Sequence, residues 1–244
     1  MRIAISGTAC QGKTTLVNDF IKNWPMYERS EESYRRVIKE EKLGINKNVN
    51  KDGQWKILNC LVDDLQKSPA DGFVLFDRCP LDNLIYSMWS FEANSSDIDK
   101  DFIDKCIPVV RESMKLLDII LFLPITKVAP VQIELKADRE TDTIFIKEID
   151  NIFKAMERQY MLNGGEPFFC KDDKPALIEI FGSPEERIKM IELYVAKNGR
   201  IVDEEESVLS KENLDLMESL LYAQKQVKDK EDEEGKLYNK FIRK

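Results

Sequence analysis

Gly7-Thr8-Ala9-Cys10-Gln11-Gly12-Lys13-Thr14 decides how this chain is read. Two glycines with four residues between them, then lysine and a hydroxyl residue, spell G-x-x-x-x-G-K-[ST], a pattern whose backbone N–H groups wrap phosphate. Outward in one direction, Arg2-Ile3-Ala4-Ile5-Ser6 is a short β-branched apolar run. In the other, residues 13–21 carry Leu16, Phe20 and Ile21 at helical spacing. The expected unit is strand, loop and helix, with the glycine-rich turn at a helix N-terminus, where unpaired amides and the helix dipole favour an anion. Gly7, Gln11, Gly12, Lys13, Thr14 and Thr15 are the candidate nucleotide contacts. The glycines admit close backbone approach, Lys13 neutralises the β- and γ-phosphates, Thr14 presents its hydroxyl to Mg²⁺, and Thr15 reaches the α-phosphate side.

Further along, Trp55, Leu58, Leu61, Val62 and Leu65 predict a helix, and Phe73-Val74-Leu75-Phe76 reads as a strand buried on both faces. Pro80 opens a helix to about residue 91, residues 98–117 form another, and 118–123 and 176–181 are two more apolar strands. Residues 26–37 pass from an extended stretch into a helix. The Asn- and Lys-rich residues 44–53 lack an apolar period and are expected as an exposed loop. Strands alternating with helices imply a parallel sheet. Beyond residue 202 the composition turns charge-rich, with a thin apolar stripe at Leu214, Met217 and Leu221, and Leu237, Tyr238, Phe241 and Ile242 could dock back or meet another subunit.

At 244 residues, 43% hydrophobic and 34% charged, the chain can bury a core of its own. A net charge of −8 disfavours a broad nucleic-acid surface, though a local basic patch from Lys47, Lys51, Lys136 and Arg139 stays open. No apolar run approaches the ~20 residues of a bilayer span, so the expected location is cytoplasmic. The five cysteines form no CxxC pair, and histidine is absent. Imidazole bases and histidine metal ligands are therefore excluded, and acid–base work falls to carboxylates.

Asp77 ends the buried strand, where a carboxylate would face the phosphate loop and Mg²⁺. The continuation Asp77-Arg78-Cys79-Pro80-Leu81-Asp82 adds a cation and a second carboxylate that plain nucleotide binding does not need, which suggests an acceptor pocket. Here residues 1–200 resemble the nucleoside and nucleotide kinase group of P-loop proteins, most closely the AAA-type branch typified by the ribosylnicotinamide kinase domain. The segment is similar to the D-R-x-P-x-D pattern of that branch and to the D/E-R element of thymidylate and deoxynucleoside kinases. Glu32-Ser33-Tyr34-Arg35 resembles its E-x-x-R segment.

The resemblance implies an α/β, three-layer P-loop NTPase fold with a parallel sheet flanked by helices; outside it, the composition is read as a charge-rich helical C-terminal extension over 201–244. The resemblance implies Glu32, Arg35, Arg78 and Asp82 as acceptor contacts, Lys13 and Asp77 as catalytic groups, and a lid at about 126–145. From that lid Arg139 would close on the transferring phosphoryl group. It also implies Gly182 and Ser183 against the adenine, ATP and Mg²⁺ as cofactors, and a small-molecule or nucleotide acceptor. A homo-oligomer stays open. The competing readings are a polynucleotide or modified-base kinase, which needs a basic channel, and an acceptor-independent ATPase or nucleotide-dependent binding module. A GTP switch is disfavoured because Asn46-Lys47-Asn48 does not continue as N-K-x-D.

Overall fold

A computed structural model describes residues 1–127 and 142–202, together with Ser219. Arg139, most of the expected lid and nearly all of the C-terminal extension lie outside the described residues. Two compact units are distinguished, one of residues 1–125 and 131–180, the other of residues 126–130 and 181–244.

The first unit is built on five parallel strands, β1 (Arg2–Ser6), β2 (Glu28–Arg29), β3 (Val74–Asp77), β4 (Ile119–Phe122) and β5 (Ala176–Glu179), in the order β2-β3-β1-β4-β5. The central strand β1 pairs with β3 on one side and β4 on the other, placing Ile5 opposite Asp77 and Ser6 opposite Phe122. The chain leaves β1 between two neighbours whose connections run to opposite sides, and crevices that hold ligands form at that kind of switch point. Parallel strands buried on both faces read as unbroken apolar runs. Ala4, Val74, Phe76, Ile120 and Phe122 enter the large core cluster. The alternating Ile3, Ile5, Leu75, Ile119 and Leu121 are equally buried and face the other way. Helices therefore cover both faces, giving three layers.

The helices of this unit are α1 (Lys13–Asn23), α2 (Ser33–Glu40), α3 (Lys51–Lys67), α4 (Pro80–Glu92), α5 (Lys100–Met114) and α6 (Thr143–Asn163). α1 packs on β1, β2 and β3, whereas α4 contacts α3, α5 and α6. Trp89 on α4 meets Phe145 on α6 edge to face, with ring centroids 4.5 Å apart, and Phe122 stacks on Phe153.

The expected loop at 44–53 is corrected in two respects. Residues 46–48 form a 3₁₀ turn and Val49 is buried, while α3 already begins at Lys51 because the Asn50 side chain accepts from the Gly53 amide. The strand β2 has only two residues, both exposed, and its pairing of Arg29 with Leu75 is what brings the chain beside the end of β3.

In the second unit, α7 (Pro184–Glu192) starts from a capping box. Ser183 Oγ accepts from the Glu186 amide and the Glu186 carboxylate accepts from the Ser183 amide. Gly182, at φ +89°, receives the Arg187 guanidinium on its carbonyl, and Val195 bridges antiparallel to Ile201.

Candidate active site

Residues 7–12 form a tight loop between β1 and α1. Gly7 has φ +139°, and a Cβ there would come within 2.6 Å of the Leu123 carbonyl oxygen, so only glycine lets β1 turn beside β4. Gly12, the residue preceding α1, has φ +79°. Cys10 takes a left-handed φ of +62°, unusual for a side-chain-bearing residue. Lys13 is buried, and its ammonium donates to the carbonyls of Gly7 at 2.8 Å and Thr8 at 2.5 Å, which holds it inside the loop. Burial, then the nearby Arg78 cation, push its pKa down to about 7, against the pull of Asp82 and Asp77. Gln11 is buried, and Thr14 and Thr15 are exposed on the first turn of α1. Thr8, fully buried, donates its hydroxyl to the Ile146 carbonyl on α6 at 2.9 Å.

Asp77 is 2% exposed at the end of β3. Thr14 Oγ1 donates to its Oδ2 at 3.3 Å, and the same oxygen is reached by Arg35 Nη2 at 3.2 Å and Arg29 Nη2 at 3.6 Å. Glu32, preceding α2 with φ +50°, pairs with both guanidiniums. Two arginines and two carboxylates thus alternate beside the phosphate loop. Their geometry depends on β2, which sets Arg29, and on α2, whose start is fixed by bonds from the Ser33 amide and hydroxyl to Asp64 on α3.

Arg78 follows with φ +88°, a conformation that strains any side-chain-bearing residue. Its guanidinium lies over the Tyr86 ring at 5.3 Å and donates to Asp82 Oδ1 at 3.3 Å. Burial alone would lower its pKa, but Tyr86, Asp82, Tyr34 and Asp77 outweigh it and hold the cation firmly charged. Asp82 is buried and faces inward, accepting from Ser6 Oγ at 2.6 Å, the Cys79 amide at 3.1 Å and the Gly7 amide at 3.4 Å. Asn83 donates through Nδ2 to the backbone and side-chain oxygens of Gln54 on α3. Its Oδ1, together with the hydroxyls of Tyr34 and Tyr86, is buried without a partner.

The structure therefore brings Lys13, Thr14, Glu32, Arg35, Asp77, Arg78 and Asp82 into one region of the first unit. Gly182 and Ser183 fall in the second unit, and Arg139 lies outside the described residues. Sequence reasoning missed Arg29. Among the described residues, no group of three or more Cys, Asp or Glu side chains forms a metal cage, so Thr14 and Asp77 could give a cation only part of its shell. No helix among them is long and apolar enough to cross a membrane.

A glycine-rich loop after the central strand of a parallel sheet, with a buried carboxylate ending the adjacent strand, defines a P-loop nucleotide-binding protein of nucleoside-kinase-like fold. The AAA domain family model matches residues 2–160, and the chain belongs to that family. No curated protein matches it. Among solved structures, NadR protein in complex with NAD and AMP-PNP superposes with a TM-score of 0.52 at 15% identity, over 83% of this chain and 50% of that one. NadR protein in complex with NR gives 0.50 at 19% identity, over 69% and 44%. Deoxyadenosine kinase from M. mycoides with bound dCTP gives 0.51 at 18% identity, over 78% and 96%. The likeness is one of fold, and the chain spans about half the length of the NadR chains it matches.

Proposed function

We propose that the protein is a kinase that transfers a phosphoryl group from ATP to a nucleoside, a nucleotide or a related ribosyl compound. The observation that carries this reading is the convergence of Arg29 and Arg35 on Asp77, with Arg78 beside them. Nucleotide binding alone needs the loop, Thr14 and one carboxylate, whereas further cations at the rim suit a second, oxygen-rich reactant. The buried unpartnered atoms of Tyr34, Asn83 and Tyr86 support the same reading, because an acceptor with polar groups would satisfy atoms that are costly to leave unbonded. The folds of the NadR and deoxyadenosine kinase structures agree with it.

The loop amides and Lys13 bind the phosphates, and the lysine recovers its full charge as phosphate oxygens replace the two carbonyls. Thr14 Oγ1 and Asp77, 3.3 Å apart, are hard oxygen donors that fit Mg²⁺, and they would hold it with phosphate and water oxygens completing its shell. When bound, Mg²⁺ supplies neutralisation of the β- and γ-phosphate charge. If the acceptor is a hydroxyl, the Asp77 carboxylate takes its proton instead of serving the metal. If it is a monophosphate, Arg35 and Arg78 hold it and Asp77 serves the metal. In this scheme Arg139, outside the described residues, would close on the transferring group and exclude water. Catalysis in this scheme is positioning and electrostatics.

The test is Mg-ATP turnover, following ADP formation and product mass together, across nucleosides, nucleoside monophosphates, ribosylnicotinamide and DNA with and without hydroxymethylated bases. Lys13→Ala reports contaminating activity. An acceptor that gains one phosphoryl group supports the kinase, whereas ADP release indifferent to every acceptor refutes it.

A further inference from the structure

We propose that Asp82 is a positioning residue that couples Arg78 to the phosphate loop, so that nucleotide binding at the loop and the charge state of the acceptor side are not independent. The inference rests on residues 7–14 being a nucleotide cradle. Asp82 stands at the third position of α4, where a carboxylate after Pro80 has an ordinary task, capping the helix by accepting from the Cys79 amide. That task needs one oxygen and one donor. Here Oδ2 accepts from Cys79 and also from the Ser6 hydroxyl at 2.6 Å, on the last residue of β1. Oδ1 is shared between the Gly7 amide at 3.4 Å, the first of the loop, and the Arg78 guanidinium at 3.3 Å.

One buried carboxylate oxygen thus serves two donors that belong to different parts of the site. A carboxylate oxygen divides its acceptor strength between competing donors, and in a buried site that competition is poorly screened. An anion that draws Arg78 away from Oδ1 frees that oxygen to hold Gly7 more tightly, and a phosphate that reorients the loop alters the hold on Arg78. The coupling is reciprocal by thermodynamic necessity. Lys13 and Arg78 also repel each other and are both attracted to Asp82, so the same side chain keeps the buried lysine and the half-buried arginine compatible. Gly7 lies against the Leu123 carbonyl and the Arg78 backbone is held at a positive φ, so the two donors approach Oδ1 from fixed backbone positions while the guanidinium itself can turn.

The experiment is a double-mutant cycle read as Mg-AMP-PNP affinity by calorimetry, using the full chain as wild type, Arg78→Gln, Asp82→Asn and the double variant. Coupling of this kind makes Arg78→Gln change the affinity about fivefold or more in the wild-type background and less than about twofold in the Asp82→Asn background. A merely structural Asp82 lowers the melting temperature and affinity but leaves the fold-change from Arg78→Gln the same in both backgrounds, and that result overturns the proposal. Should Asp82→Asn fail to fold by circular dichroism, Asp82→Ser takes its place, since it removes the oxygen shared by Gly7 and Arg78 while keeping a short polar side chain at the helix start. The Arg78 effect must then shrink, and an unchanged effect overturns the proposal. Wild type that does not bind Mg-AMP-PNP refutes the functional reading and the coupling with it, whereas binding with independent effects refutes the coupling alone.

Discussion

The hydroxyl of Thr8 donates to the carbonyl of Ile146 at 2.9 Å, tying the phosphate loop to the first turn of α6, the helix that follows residues 128–141 in the chain. Thr8 is fully buried, so no water can replace this bond when it is lost. Thr8→Val keeps the shape and removes the donor. We expect a loss of about 1–2 kcal/mol, from a buried hydrogen bond and a polar atom left facing a methyl group. In a domain of this size that lowers the melting temperature by about 2–8 °C. Thermal denaturation checks it, and an unchanged melting temperature would show that the bond contributes nothing to stability.

Gly7→Ala is expected to be far more disruptive than its size suggests. The new Cβ would meet the Leu123 carbonyl oxygen at 2.6 Å and would force a backbone at φ +139° that residues other than glycine avoid. Strain of this kind costs about 2–3 kcal/mol or displaces the loop from β4. Urea denaturation should show the loss in the midpoint with an unchanged slope, and Mg-AMP-PNP affinity should fall by at least about tenfold. Near-wild-type stability and affinity together would mean that the loop does not need its close approach to Leu123.

How much of this was legible in the sequence follows the range of the signals. The loop, β1 and α1 could be read because everything that shapes them is local, from Gly7 and Gly12 to the apolar run Ile3-Ala4-Ile5. Asp77 could be read because it ends an apolar strand. Arg29 could not, because β2 has two exposed polar residues, carries no alternation, and exists only by pairing with Val74 and Leu75 far along the chain. The start of α3 was hidden by composition, since Asn50 looked like one more loop residue and is a helix cap. Asp82 was read as facing an acceptor. Its spacing after Cys79-Pro80 carried a capping signal as well, but its bonds to Ser6 and Gly7 arise from tertiary structure that no local pattern encodes.

Arg29 should matter to the acceptor and not to ATP. It sits 3.6 Å from Asp77 and pairs with Glu32, whereas the loop lysine's own contacts are with Gly7 and Thr8. Arg29→Ala should reduce kcat/KM for the phosphoryl acceptor by about tenfold, the size expected when a charge-assisted contact is removed, while KM for ATP moves less than about twofold. Equal loss in both constants would make Arg29 a general structural residue.

Lys13 gives the site a pH dependence whose sign can be worked out. Its pKa in the free protein is held down to about 7 by burial and by Arg78, below the ordinary lysine value of 10.5 that applies once the chain unfolds. Between those two values the unfolded chain binds more protons than the folded one, so the protein without nucleotide gains stability as pH rises through that window. Nucleotide binding reverses the preference, because phosphate oxygens favour the charged ammonium. Above about pH 7 the complex must therefore take up a proton at Lys13, and affinity falls as pH rises. Calorimetric titration of Mg-AMP-PNP at pH 8.5, in buffers of different ionisation enthalpy, should return an uptake approaching one proton per nucleotide. Lys13→Met should abolish most of that uptake, in whatever residual binding remains. Proton release, or an uptake unchanged by the substitution, would place the titrating group elsewhere and leave Lys13 charged throughout.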